Sequence, residues 1–230
     1  ASDVYKRQQP AGASVRAGAV GTDSKYNTGK VAFFTYSAAA GRIGGESLNS
    51  SSDRTKMALI SVDSTGNQAQ YHTFWDLKVL SDKYANVLKS QGIKKGDRIF
   101  VMLPRIPEWY VVMLGSFKIG AIPMPATTLL TAKDIEYRIT QAEASMAITD
   151  FENSDKVNSA AGGCPTLRSL VVVGGNRQGW FSYADQIESA STVLDTIELT
   201  RSDDPLLIYF TSGTVGYPKI CLLYTSDAAD

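Results

Sequence analysis

At 230 residues, with 43% hydrophobic and 20% charged side chains, the chain is long enough for one sizeable core and far from a disordered, collagen-like or disulfide-scaffold composition. Its 23 basic residues balance 23 acidic ones, so no overall field draws in nucleic acid or an anionic membrane, and anion binding has to come from a local site. Two cysteines, Cys164 and Cys221, make no disulfide framework, the lone His72 leaves out His-rich metal sites, and no apolar run approaches the roughly 18 residues of a membrane span.

Residues 1–52 read as a low-complexity leader. Gly, Ala and Ser supply 24 of them, and Ile43 and Leu48 are the only Ile or Leu, so little apolar surface is available for burial. The polar start, Ala1 to Pro10, lacks the basic-then-apolar order of a signal peptide, and the cysteine usage fits a reducing, cytoplasmic setting.

From Asp53 the texture changes to short β-rich runs alternating with helical periodicity, the pattern of a parallel sheet covered by helices. Met57 to Val62 and Gln70 to Phe74 read as a hairpin around Ser64-Thr65-Gly66-Asn67. Thr73 offers an N-cap to a helix whose inner face is Leu77, Leu80, Tyr84, Val87 and Leu88, and Gly92 ends it. Asp97 to Leu103 is a strand, broken by the prolines at 104 and 107 before a helix over 108–118 that Gly120 closes. Ala121 to Pro125 is a short strand.

Thr131 with Asp134 forms an acidic capping box ahead of Ile135, Ile139 and Ala142. Strands follow at Met146 to Thr149 and Leu170 to Val173, with helices at Ser154 to Ala160 and Tyr183 to Ala190. The last strand, Leu206 to Phe210, runs into Thr211-Ser212-Gly213-Thr214-Val215-Gly216-Tyr217-Pro218-Lys219.

That run places three hydroxyls, two glycines and a lysine directly after an apolar strand, where open α/β sheets bind their ligands. Glycines let backbone N–H groups approach phosphate oxygens, Ser and Thr add donors, and Lys219 adds a point charge, so an ATP-type ligand is the natural reading. It is not a Walker A loop, because Tyr217 and Pro218 separate Gly216 from Lys219. On composition alone a Ser/Thr/Gly surface turn explains it as well.

The whole string, Thr-Ser-Gly-Thr-x-Gly-x-Pro-Lys, resembles the phosphate-binding signature of the AMP-forming acyl-CoA synthetases within the adenylate-forming superfamily. Gly96-Asp97-Arg98-Ile99, Leu103 to Tyr110, Lys118-Ile119-Gly120-Ala121 and Asp134 to Arg138 resemble upstream blocks of the medium-chain branch. The resemblance covers 53–220 and implies the N-terminal part of the large α/β domain of an adenylate-forming enzyme, truncated.

By that resemblance the whole enzyme couples a medium-chain fatty acid to ATP as an acyl-adenylate, releases pyrophosphate, and passes the acyl group to coenzyme A. Residues Thr211, Ser212, Gly213, Thr214, Val215, Gly216, Tyr217, Pro218 and Lys219 would grip the triphosphate, with Thr214 nearest Mg²⁺. Val215 departs from the Ser or Thr usual in the family, which removes one donor. Catalytic residues are expected in a later part of the family sequence. Another adenylate-former, acetyl- or aryl-activating, and a non-catalytic nucleotide-binding module are the alternatives.

Ala1 to Gln8 and residues 221–230 resemble translated sequencing-adapter read-through and are set outside the fold. The remainder resembles well under half of a typical family member and lacks its later adenine, ribose, hinge and C-terminal segments, so the chain is expected to be inactive alone. Among other residues, His72 reads as surface or packing, Cys164 as incidental, and Arg105 and Glu108 as helix-start charges, with Arg105 able to pair locally. Trp109 to Leu114 read as core, while Pro123 to Leu130 is either a Pro-rich connection or the edge of an acyl or coenzyme A channel.

Overall fold

The inner strands of the central sheet are short continuous apolar runs because helices cover them on both faces. The computed structural model describes residues 36–37, 42–43, 54–55, 57–62, 69–195, 200–201, 203–211 and 217–224. Most of the expected leader, the turn at 64–67, loop residues Ser212 to Gly216 and the end 225–230 lie outside the described residues.

Strands β1 (Tyr36–Ser37) and β2 (Arg42–Ile43) pair as a minimal antiparallel ladder within the expected leader. The hairpin of β3 (Met57–Val62) and β4 (Ala69–Thr73) leads into α1 (Phe74–Ser90). Then follow β5 (Arg98–Met102), α2 (Pro107–Lys118), β6 (Ile122–Pro125), α3 (Ala132–Ala142), β7 (Met146–Asp150) and α4 (Ser154–Ala161). Strands β8 (Ser169–Val173) and β9 (Phe181–Ser182) precede α5 (Tyr183–Ser189), and the last pair is β10 (Pro205–Thr211) with β11 (Lys219–Tyr224).

Five of these strands form one parallel sheet in the order β6-β5-β7-β8-β9. The chain steps from β5 to β6 on one side and then crosses to β7 on the other, so the winding reverses between β5 and β7. Alternation along the strands serves the two faces. Ile99, Val101, Met146, Ile148, Val171 and Val173 pack under α1, α2 and α5, whereas Phe100, Met102, Ala147 and Ile122 pack under α3 and α4.

Local chemistry fixes the helix ends. The Thr73 hydroxyl accepts from the Asp76 N–H at 3.1 Å while Asp76 accepts from the Thr73 N–H at 2.8 Å. Thr131 and Asp134 repeat that reciprocal box at the start of α3. Pro107 sits at the first position of α2, where its missing N–H costs nothing. Helices α1 and α2 approach closely at Gly115, where a Cβ would stand 2.8 Å from the Tyr84 ring.

The last strand departs from the sequence expectation. Among the described residues β10 is hydrogen-bonded only to β11, antiparallel, in a separate two-stranded sheet. One of its faces turns Ile208 into the core with Phe210 packed against it, while Tyr209 is exposed, so it is half-buried rather than enclosed. Strand β11 extends to Tyr224, past the expected boundary at 220, because Cys221, Leu222 and Leu223 pair with Tyr209, Ile208 and Leu207.

Candidate functional site

Two adjoining clefts open at the carboxyl ends of the parallel strands. One, of about 750 Å³, lies between the β3 segment Leu59 to Val62, the end of β5 at Leu103 to Arg105, and Thr127 and Thr128 after β6. The other, of about 500 Å³, lies at the reversal itself, between Pro104 after β5 and Asp150 to Glu152 after β7. This is where a doubly wound sheet has room for a ligand, because the connections diverge to opposite faces and leave the strand ends uncovered.

The expected core helix contributes to this site. Trp109 and Tyr110 are only half-buried, packed edge to face at 5.2 Å, and both line the larger cleft. Helical periodicity hid this, because α2 is apolar nearly all round and its first turn projects beyond the sheet. Arg105 also corrects its expected local pairing: it is exposed, lines the larger cleft, and has no ion-pair partner among the described residues. The 123–130 segment lies at the cleft through Thr127 and Thr128.

Of the nine residues expected to hold phosphate, the structure describes four. Thr211 and Lys219 face each other as the last paired residues of β10 and β11, both exposed. Tyr217 and Pro218 complete the returning arm, and Ser212, Gly213, Thr214, Val215 and Gly216 lie outside the described residues. Strand β10 comes near the larger cleft through Thr127, which borders both that cleft and a small cavity of about 100 Å³ also lined by Tyr209 and Phe210.

The sequence reading missed what anchors this hairpin. Tyr137 of α3 stacks on Tyr217 at 4.8 Å, and its hydroxyl donates to the Pro218 carbonyl at 3.0 Å. Beside it the Arg138 guanidinium lies 5.4 Å from the Phe210 ring centroid. The available signal was an aromatic residue displaced from the inner row Ile135, Ile139 and Ala142 of its own helix.

Other reactive groups are quiet. Burial pushes the Cys164 thiol up, away from the thiolate, in agreement with its incidental reading. His72 is half-buried, and its Nε2 is buried with no hydrogen-bond partner among the described residues. Among the described residues no group of three His, Cys, Asp or Glu side chains is placed to hold a metal ion, and no helix is long and apolar enough to cross a membrane.

The fold and site define a doubly wound α/β protein with clefts at its strand ends and a hairpin that closes on Thr211 and Lys219. A profile of the AMP-binding enzymes matches residues 48–229, and the chain belongs to that family. It is 40% identical over 165 residues to the rat acyl-coenzyme A synthetase ACSM4, mitochondrial, a match covering 71% of this chain and 28% of the relative. The human acyl-coenzyme A synthetase ACSM5, mitochondrial, is 38% identical over 161 residues, covering 69% of this chain and 28% of the relative.

Among solved structures, the anthranilate CoA ligase AuaEII in complex with anthranoyl-AMP superposes with a TM-score of 0.73 at 26% identity, covering 84% of this chain and 35% of that one. The Brucella canis acyl-CoA synthetase gives a TM-score of 0.68 at 26% identity, covering 76% and 32%. The matched stretch thus spans under a third of the curated relatives' length.

Proposed function

We propose that this chain forms the N-terminal part of the large domain of an AMP-forming acyl-CoA ligase, and that residues 211–219 bind the triphosphate of ATP. One observation carries the reading: the β10–β11 register sets Thr211 opposite Lys219, both exposed, at the open end of a hairpin whose Tyr209 and Phe210 line a small cavity that shares Thr127 with the larger cleft. A hydroxyl and an ammonium then flank the span whose glycines and hydroxyls supply the other donors.

The chemistry this serves is activation of a carboxylate. A carboxylate is a poor electrophile, and attack on the α-phosphate needs the triphosphate charge neutralised and held in line. Lys219 supplies the point charge, Thr211 a hydroxyl donor, and the glycine backbone close N–H groups. The acyl-adenylate then passes its acyl group to coenzyme A, with release of AMP. Mg²⁺ enters the proposal through Thr214, which lies outside the described residues, and no step assigned to the described residues runs through it. The choice of a medium-chain fatty acid rests on the resemblance of the blocks at 96–99, 103–110, 118–121 and 134–138; the relatives named above support an acyl group, and the ligase seen with anthranoyl-AMP keeps an aryl acid as the second reading.

Residues 53–220 remain the proposed extent of the family domain, and a reducing, cytoplasmic compartment the proposed setting. The test is pyrophosphate exchange into ATP by a protein that continues this chain to the length of its relatives. Exchange dependent on a medium-chain acid is expected, exchange dependent only on an aryl acid selects the second reading, and no acid-dependent exchange refutes both. The 230-residue chain alone is expected to give none.

A further inference from the structure

Helix α3 carries one aromatic side chain that its own burial does not explain. Ile135 and Ile139 are fully buried and Ala142 completes their row, whereas Tyr137 lies off that row and reaches the β10–β11 hairpin. Its ring stacks on Tyr217 with centroids 4.8 Å apart and planes at 24°, and meets Phe210 edge-on at 6.3 Å and 66°. Its hydroxyl donates to the Pro218 carbonyl at 3.0 Å. One side chain therefore touches the residue before Thr211 and both residues before Lys219.

Among the described residues the hairpin makes no ladder hydrogen bond to the five-stranded sheet, so its position relative to the sheet rests on side-chain contacts, the Lys95–Asp204 ion pair just before β10 among them. Ile208 and Phe210 seat its middle against the core. At its open end Tyr137, with Arg138 against Phe210, ties it to α3, and α3 is itself fixed by its capping box and by Ile135 and Ile139. Offset stacking and a hydrogen bond from a single ring restrict both sliding and rotation, which apolar packing alone does not.

We propose that Tyr137 is a positioning residue that holds the two ends of the 211–219 span, and with them Thr211 and Lys219, in place before the nucleotide arrives. The proposal rests on reading 211–219 as the triphosphate loop; the anchoring itself does not. Groups set in advance need no reordering on binding, so their attraction for phosphate is expressed in full. Tyr137 acts through the hairpin rather than on the reacting atoms.

The test uses the 230-residue chain as parent, Tyr137→Leu, Tyr137→Phe, Tyr217→Leu and the Leu/Leu double variant. Hydrogen exchange is read on peptides covering 205–220 and 98–102, and ATP binding by titration calorimetry. Tyr137→Leu is expected to speed exchange in 205–220 roughly tenfold without changing 98–102, and to raise the ATP dissociation constant roughly tenfold at unchanged melting temperature. Tyr137→Phe keeps the ring and restores most of both. The double variant is expected to be no worse than Tyr137→Leu, because one stack is lost in each.

Parent-like exchange in 205–220, equal acceleration in 98–102, or unchanged ATP affinity despite faster exchange overturns the proposal. If Tyr137→Leu does not fold, Tyr217→Leu, which alters an exposed residue, decides by the same readouts. If the parent takes up no ATP, the proposed function fails on its own, and the exchange data alone judge the anchoring.

Discussion

Lys118 Nζ lies 2.6 Å from Asp82 Oδ1, joining α2 to α1 through two buried side chains. The ammonium also donates to the Ser81 hydroxyl at 2.7 Å, and Lys78 holds the other Asp82 oxygen at 2.8 Å. Burial pushes the Lys118 ammonium below the ordinary lysine range, with Asp82 opposing that shift only in part. Asp82→Asn leaves Lys118 buried without its counter-charge and is expected to cost about 3–5 kcal/mol in urea unfolding.

The sign of the pH dependence follows from the lowered value. Between the folded and the higher unfolded pKa the unfolded chain holds more protons, so stability rises with pH through that window. The urea midpoint of Asp82→Asn is expected to recover toward the parent as pH rises toward the ordinary lysine value of about 10, since the uncompensated charge is then titrated away. A gap that stays constant across that range contradicts this account.

The two capping boxes act at the acid end. Thr73, mainly through its backbone N–H, holds the Asp76 carboxyl below the usual carboxylate range, and the Thr131 hydroxyl does the same for Asp134. A depressed carboxylate contributes fully above its unfolded value and loses that contribution as pH falls through the folded one. Thr73→Ala and Thr131→Ala are each expected to cost about 1 kcal/mol near neutrality. Asp76→Asn and Asp134→Asn are expected to flatten the loss of thermal stability below about pH 4, as melting curves across that range will show.

Gly115 sets the spacing of α1 and α2. An added Cβ would meet Tyr84 Cδ1 at 2.8 Å and the Ser81 carbonyl at 3.1 Å, and both belong to the packed core of α1. Gly115→Ala is therefore expected to destabilise by about 1–3 kcal/mol through overpacking, despite the better helix propensity of alanine. A neutral or stabilising effect in denaturant unfolding would contradict the close approach.

By the resemblance of 211–219 to the family's phosphate-binding signature, Val215 stands where a hydroxyl is usual. Val215→Thr is expected to tighten ATP binding about fivefold, the worth of ~1 kcal/mol for one net hydrogen bond. The reverse change in a full-length relative is expected to weaken it by a similar factor. Equal affinities by calorimetry remove any role for that side chain.

Much of this architecture is legible in the sequence because its signals are local. The Thr131 and Asp134 box, the Gly92 stop with its φ of +76°, and the continuous apolar run at 99–102 are set by neighbours within a few residues. What was missed depends on distant partners. Asp82 and Lys118 are 36 positions apart, and nothing in either segment announces a buried pair. Strand β9 has two residues, too few for any period to appear.

The site follows the same division. The phosphate-type loop is readable as a string, since glycines, hydroxyls and lysine need only their own order to suggest an anion. Its setting is not. The departure of β10 from the parallel sheet follows from its pairing with Lys219–Tyr224, and the Tyr137 tie follows from a helix some 80 residues upstream. Trp109 and Tyr110 look like core because apolarity records burial in sum and not which edge stays open to a cleft.

Titration of ATP into the 230-residue chain and its Lys219→Ala variant, followed by calorimetry, tests the central reading most directly. The account predicts that the chain binds ATP and that Lys219→Ala weakens it about tenfold at unchanged melting temperature, as loss of one charge-assisted phosphate contact requires. Absence of ATP binding, or equal affinity of the two proteins, would contradict it.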